Sequence, residues 1–568
     1  MTAQSYFAHV RRNGLVFSSP VFLFAFLPAT CLLVLASNRS IRIQNILLVG
    51  ASLVFYAWGN PASLLLIVTS TVANYAFALM LEASADASAR GDSQRRKAIL
   101  AICVIFNLCL LGVFKYANFI VANLNLIPGV ALPDPGIPLP IGISFFTFQA
   151  LSYVLDVGAG KFKAQRSLST LLLYISFFPQ LIAGPIVRYG DIEGMLVKRN
   201  LNSRDAAYGL RRFIFGLAKK VLVANSVGIV ADAVFGASGG SAASLGSAAG
   251  TAAASLGRAA GTAAAGAAAM MHPLTLPAAW LGALAYAIQI YFDFSGYSDM
   301  AIGLGMMFGF RFGENFNYPY SAIGLRDFWR RWHISLTSWF REYLYIPLGG
   351  NRRGRLREAV NKVAVFFVTG FWHGASWNFI VWGLYHGLFL TLETYGVVKP
   401  QKMPKIAARM YTLLVVVTGF VIFRAPTLAG AWKMLAAMVP GYRADNAALA
   451  RPGHSTLSQL GQSALALISQ SASARISQPV LARLGNSTLS QLGQFALAQL
   501  GQAASLVKPS MLPMFAVSML AIFPIKPVIE SRLPKLQILG FILTIPLFFL
   551  CAMYLSTGTY NPFIYYRF

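Results

Sequence analysis

Apolar runs of bilayer length follow one another along the whole chain, among them "VFLFAFLPATCLLVLAS", "NILLVGASLVFYAWG", "AILAICVIFNLCLLGVF", "VAVFFVTGFWHGASWNFIVWG", "MYTLLVVVTGFVIF" and "LQILGFILTIPLFFLCAMYL". A helix needs about 17 to 25 predominantly apolar residues to cross the hydrocarbon core. Backbone placed in lipid must find its hydrogen bonds within its own segment, which a helix provides. Several runs are interrupted by Gly or Pro, so the pattern predicts roughly 11 to 13 transmembrane or re-entrant helices. The composition agrees: 57% of the 568 residues are hydrophobic and only 11% are charged. The fold class expected is therefore an all-α polytopic membrane protein.

A formal net charge of +28 raises the question of nucleic acid. The basic residues instead fall in short loops between apolar runs: "RGDSQRRK" near 90, "VKRNLNSRDAAYGLRRF" near 200, "NRRGRLRE" near 355 and "KPQKMPK" near 400. Short Lys/Arg-rich loops mark the cytoplasmic side and attract anionic headgroups. The partner this charge implies is the lipid bilayer, not nucleic acid. Cys31, Cys103, Cys109 and Cys551 lie within apolar runs without CxxC or Cys/His spacing, which predicts neither a disulfide framework nor a zinc site. Arg11 and Arg12 precede an apolar run as in a signal peptide, but no clear small-residue cleavage pattern follows, and an uncleaved first span is expected.

Two segments depart from the membrane pattern. "SLGSAAGTAAA" from Ser244 is followed at once by "SLGRAAGTAAA" from Ser255, and "STLSQLGQSALA" from Ser455 recurs as "STLSQLGQFALA" from Ser487. Both stretches are rich in Ala, Ser, Gly or Gln and poor in aromatics, so they have little apolar surface with which to order themselves. Repeat architectures usually need three or more units, and two copies read as loop insertions instead. The expected organisation is N-terminal transmembrane helices over 1–235, an Ala/Gly/Ser insertion at 236–272, a catalytic membrane core at 273–440, a Gln/Ser/Leu insertion at 441–508 and C-terminal transmembrane helices over 509–568.

Of six histidines, His9, His272 and His454 lie at the N-terminus or in and beside the insertions, leaving His333, His373 and His386 in the membrane block. Ionisable groups at membrane depth are costly and mark functional sites by default. Imidazole suits such a place, because it can wait uncharged near neutral pH and still accept a proton. Moving an acyl group to an alcohol needs such a base, donors for the developing oxyanion and shelter from water. His373, between Trp372 and Gly374, has the apolar wall and close backbone approach that this chemistry wants. On one continuous helix His373 and His386 would be roughly 20 Å apart along the axis, so His386 is expected to be a structural, hydrogen-bonded histidine. Trp329, His333, Leu336 and Phe340 recur on one side of what reads as a single amphipathic helix, with Asp327 four residues before Arg331. Two histidines without a third ligand fall short of a metal site, and none is expected. Asp293 and Asp299 read as braces for nearby hydroxyls. Arg330 and Arg331 are equally placed for a donor's phosphates or for lipid headgroups.

The runs "IQIYFDFSGYSDMAIGLG", "FWRRWHISLTSWFREYLYIPLGGNR" and "FWHGASWNFIVWGLYHG" together resemble the membrane-bound O-acyltransferase family, and its bacterial alginate O-acetyltransferase-like branch in particular. Upstream "PIGISFFTFQALSYVLDV" and "FFPQLIAGPIVRY", and downstream "VIFRAPTLAGAWKML", fit the same branch in the same order. The resemblance implies many helices around a central acyl-transfer tunnel, with His373 of "WHG" as catalytic base or acyl-relay residue and His333 of "RRWHISL" beside the same tunnel. It implies no tightly bound cofactor, acetyl-CoA as acyl donor from the cytoplasmic side, and a multi-pass place in a bacterial inner membrane. It further implies delivery of acetyl groups to an exported polysaccharide such as alginate, directly or through a periplasmic acetyltransferase partner protein. The two insertions fall where the family has shorter connections and leave the histidine motifs intact. A polytopic transporter or polysaccharide-export component is the alternative; it predicts duplicated halves with broken helices in matching positions, whereas the repeats here lie only in the low-complexity segments.

Overall fold

The computed structural model describes residues 15–37, 40–58, 60–88, 93–182, 184–238, 274–441, 507, 512–522, 540–557 and 561–562. The repeats at 244–265 and 455–498, and His9, His272 and His454, lie outside the described residues. Among the described residues every regular element is a helix. In chain order they are α1 (Leu27–Ala36), α2 (Ile41–Ala57), α3 (Ala62–Ser88), α4 (Ser93–Leu124), α5 (Ile143–Gly158), α6 (Leu168–Ser176), α7 (Phe178–Leu181), α8 (Tyr189–Val197), α9 (Ser203–Ala218) and α10 (Asn225–Ser238). There follow α11 (Leu276–Met307), α12 (Leu325–Arg331), α13 (Ile334–Phe340), α14 (Gly354–His373), α15 (Trp377–Tyr395), α16 (Lys405–Arg424), α17 (Leu428–Ala437), α18 (Leu512–Ala521) and α19 (Thr544–Ser556).

Among the described residues four stretches are long and apolar enough to cross a membrane: Ala62–Ser84, Gln94–Leu124, Ser203–Gly236 and Lys405–Arg424. Shorter apolar helices run over Phe22–Ala36, Ile41–Ala57, Ile143–Gly158 and Gly540–Ser556. The chain is thus an all-α polytopic membrane protein. Its outward helix faces carry exposed Leu65, Ile102, Ile105 and Leu108, the apolar surface that lipid covers. With lipid as apolar as the helix faces, packing is reinforced by buried polar pairs. Asn74 of α3 and Asn107 of α4 form one: each amide nitrogen donates to the other's carbonyl oxygen, at 3.1 and 2.8 Å.

The chain divides into two compact units. The first comprises Met1–Ile229, Tyr286–Phe423 and Pro513–Phe568. A fully buried ion pair holds three of its elements: Lys220, on the π-helical turn Lys219–Ala224, meets Asp293 of α11 at 2.7 Å and also donates to Asn225 and to the carbonyl of Pro562. Asp299, six residues further along α11, accepts from Arg212 of α9 at 2.8 Å and from Lys219 at 2.6 Å. These aspartates brace the fold, and do so through cations.

Three motifs scattered along the sequence close on one another in this unit. Tyr343 donates to Asp156 at 2.6 Å, Arg188 pairs with Glu342, and the backbone N–H of Ile186 donates to Ser335 Oγ at 3.0 Å. Burial, and then the adjacent Asp156 carboxylate, push the Tyr343 phenol well above its ordinary range, so it remains a donor.

The second unit comprises Val230–Ala285 and Arg424–Leu512. Within it Arg424 pairs with Asp232 and lies over the Phe235 ring, while Trp280 donates from its indole N–H to the carbonyl of Met438 at 2.9 Å.

Candidate active site

The segment that holds His373 and His386 is two helices, not one. α14 ends at His373, Gly374 is extended, and Ser376 opens α15 by accepting a hydrogen bond from the backbone N–H of Asn378. The Gly-Ala-Ser interruption lets the chain reverse, so the axial separation of a continuous helix does not apply. Two glycines let the hairpin close. A Cβ on Gly370 would stand 2.2 Å from the carbonyl oxygen of Phe379, and one on Gly383 would stand 2.3 Å from that of Phe366. Backbone therefore packs directly on backbone.

His373 consequently sits at a helix C-terminus, where the last carbonyls have no partner within the helix. α4 supplies partners: Tyr116 donates its hydroxyl to the carbonyl of Phe371 at 2.6 Å, and Lys115 donates from Nζ to that of Trp372. Lys115 also donates to Ser144 of α5 at 3.0 Å, and its side chain is buried. These donors satisfy the last carbonyls of the helix, so Lys115 and Tyr116 fix the end of α14 that presents His373. The Tyr116 ring stacks on Phe371 with centroids 4.1 Å apart.

The His373 ring is buried in an aromatic enclosure, with centroids of Trp372, Trp382 and Phe423 at 5.0, 5.1 and 5.2 Å. Phe423 comes from the "VIFRAP" run, so the downstream motif builds a wall of this enclosure. The indole N–H groups of Trp372 and Trp382 are buried and have no hydrogen-bond partner among the described residues.

His333 does not lie on a continuous amphipathic helix. α12 ends at Arg331, His333 takes the left-handed conformation at φ 44° and ψ 55°, and α13 begins at Ile334. A non-glycine residue at positive φ persists only when its surroundings enforce it. Asn317 donates its backbone N–H to the carbonyl of Arg331, and Ile334 donates to that of Asn315, each at 2.9 Å. The i,i+4 pair expected of Asp327 and Arg331 forms at 2.8 Å. Glu393 of α15 accepts the backbone N–H of Leu325 at 2.8 Å and so anchors the start of α12. His333 is 2% exposed.

The structure brings His333 and His373 together. Both rings neighbour Trp372, whose centroid is 6.5 Å from His333 and 5.0 Å from His373. His386 has a different set of neighbours, boxed by Trp329 and Trp382 at 5.0 Å and Tyr385 at 5.2 Å. The hydrogen bonds expected of it are absent: neither ring nitrogen has a partner among the described residues. Lys115 and Asn315 escaped the sequence reading. Lys115, a lone charge in "LGVFKYANF", carried a usable signal; Asn315 carried none.

The sequence profile of the membrane-bound O-acyltransferase family matches residues 267–428, the span that contains both histidines. A probable alginate O-acetylase, AlgI, of Azotobacter vinelandii is 42% identical over 431 residues, which cover 75% of this chain and 78% of that protein. The chain belongs to the membrane-bound O-acyltransferase family. Members similar to this O-acyltransferase include a peptidoglycan O-acetyltransferase of Helicobacter pylori, 37% identical over 75% of this chain and 80% of its own. A teichoic acid D-alanyltransferase of Bacillus subtilis is 26% identical over 50% of this chain and 68% of its own.

Proposed function

We propose that this O-acyltransferase takes acetyl groups from acetyl-CoA on the cytoplasmic face of a bacterial inner membrane and passes them outward for O-acetylation of an exported polysaccharide such as alginate. The observation that carries the reading is the convergence of His333 and His373 on one buried aromatic enclosure around Trp372. His373 is the base: its ring nitrogen takes the proton of the attacking hydroxyl as oxygen adds to the thioester carbonyl. Collapse of the tetrahedral species breaks the carbon–sulfur bond, and the thiolate leaves and is protonated. The buried indole N–H groups of Trp372 and Trp382 are the donors suited to the oxyanion, where preorganised hydrogen bonds act strongest away from water. His333, which also neighbours Trp372, assists.

Polysaccharide as the acceptor class is supported by the relative named an alginate O-acetylase, and a periplasmic acetyltransferase partner completes delivery. The test supplies labelled acetyl-CoA to the cytoplasmic face of inverted inner-membrane vesicles that contain exported polymer. Label in base-labile esters of the polymer is the expected result. Label transfer that requires acetyl-CoA inside the vesicles, or a different acyl donor, overturns the donor and direction.

A further inference from the structure

The left-handed turn at His333 is held by Asn315, and the same side chain determines which of the ring's nitrogens is free. Asn315 is 1% exposed, between α11 and α12. Its carbonyl oxygen Oδ1 accepts from the backbone N–H of Ser335 at 3.3 Å and from Ser335 Oγ at 2.9 Å, and it lies 3.1 Å from His333 Nδ1. Its amide nitrogen donates to Ser298 Oγ of α11 at 3.0 Å.

A backbone N–H can only donate, so the atom facing Ser335 N must be the oxygen and the amide is not flipped. Ser335 Oγ already accepts from Ile186 N–H, and it lies 2.9 Å from Asn315 Oδ1 but 3.5 Å from His333 Nδ1, so its proton goes to Asn315. An amide oxygen can only accept, so Nδ1 of His333 must carry the proton. A neutral imidazole has one donor and one acceptor nitrogen, and Nε2 is therefore a bare lone pair. Nε2 is buried and has no partner among the described residues, while the ring is fixed edge-on against Phe294 at 4.6 Å.

We propose that Asn315 is a positioning residue of the acyl-transfer site, locking His333 as the Nδ1–H tautomer so that Nε2 is presented as a hydrogen-bond or proton acceptor. The inference rests on the proposed role of His333. His373 of α14, which shares the Trp372 ring with His333, and Lys115 of α4, which holds the Trp372 carbonyl, are unchanged in the variants below.

The test uses full-length protein in membrane vesicles at matched amounts, labelled acetyl-CoA as donor, and Asn315→Asp, Asn315→Leu and His333→Ala. Asn315→Asp keeps an oxygen for Ser335 and His333 and adds a negative charge beside Nδ1–H. That charge favours the imidazolium, so Nε2 becomes available only at higher pH, and the acid limb of kcat moves upward by about one pH unit. Asn315→Leu lowers kcat by about 100-fold with KM for acetyl-CoA within about twofold, the scale of a lost acid–base contribution. Both Asn315 variants showing wild-type kcat and an unmoved acid limb while His333→Ala is inactive would overturn the proposal and leave the reading of His333 standing. So would losses confined to KM or to protein amount, which a purely structural asparagine predicts. An active His333→Ala overturns the reading of His333 itself, and this proposal with it.

Discussion

At the residue scale, the contrast between two buried histidines separates chemistry from packing. His373 ends a helix whose last carbonyls are held by Lys115 and Tyr116, whereas His386 is enclosed by aromatic rings with neither nitrogen hydrogen-bonded among the described residues. Replacing an unpartnered polar group with an apolar one of similar size is close to neutral. His386→Leu is accordingly expected to keep acetyl transfer and to change unfolding stability in detergent by no more than about 1 kcal/mol; loss of activity at normal protein level would show that His386 takes part in the reaction. Tyr116→Phe removes the hydroxyl that satisfies the Phe371 carbonyl while leaving the stacked ring, and should cost about 1 kcal/mol in the same measurement. An unchanged stability would mean that water or another group caps this end of α14.

At the scale of elements, the sequence showed which runs are apolar more clearly than where they break. Periodicity placed Trp329, His333, Leu336 and Phe340 on one helix face, but the left-handed conformation of His333 is imposed by backbone pairing with residues 315–317. No pattern within 325–340 encodes that pairing. The break between His373 and Trp377 had a local signal in Gly374 and Ser376, yet the apolar run continues through it and masks the reversal. The hairpin's closeness depends on Gly370 and Gly383. Gly370→Ala puts a methyl where the Phe379 carbonyl lies, and overpacking of this kind costs about 1 to 3 kcal/mol. The expected outcome is a lowered unfolding temperature together with reduced acetyl transfer, because α14 cannot move away from α15 without displacing His373. Full activity with unchanged stability would contradict the hairpin packing.

At the scale of the whole molecule, composition alone was enough for an all-α membrane protein, since apolar runs of this length have few other solutions. The site was half legible. His333 and His373 were identified because ionisable rings are conspicuous in apolar sequence, while Lys115, Asn315 and the enclosing Trp382 and Phe423 belong to it only through tertiary contacts. The two low-complexity segments lie outside the histidine motifs in the sequence. Deleting residues 244–265 is expected to leave acetyl transfer within about twofold of wild type, as length changes in connecting segments are generally tolerated; abolished transfer at normal membrane levels would assign that segment a functional role.

The central claim is that His373 carries the acyl-transfer step, and the most direct measurement is the acetyl ester content per unit of exported polysaccharide in cells with wild-type protein or His373→Ala at matched membrane levels. The account predicts loss of acetyl esters with polymer yield unchanged. Acetylation persisting at the wild-type level in His373→Ala would contradict it.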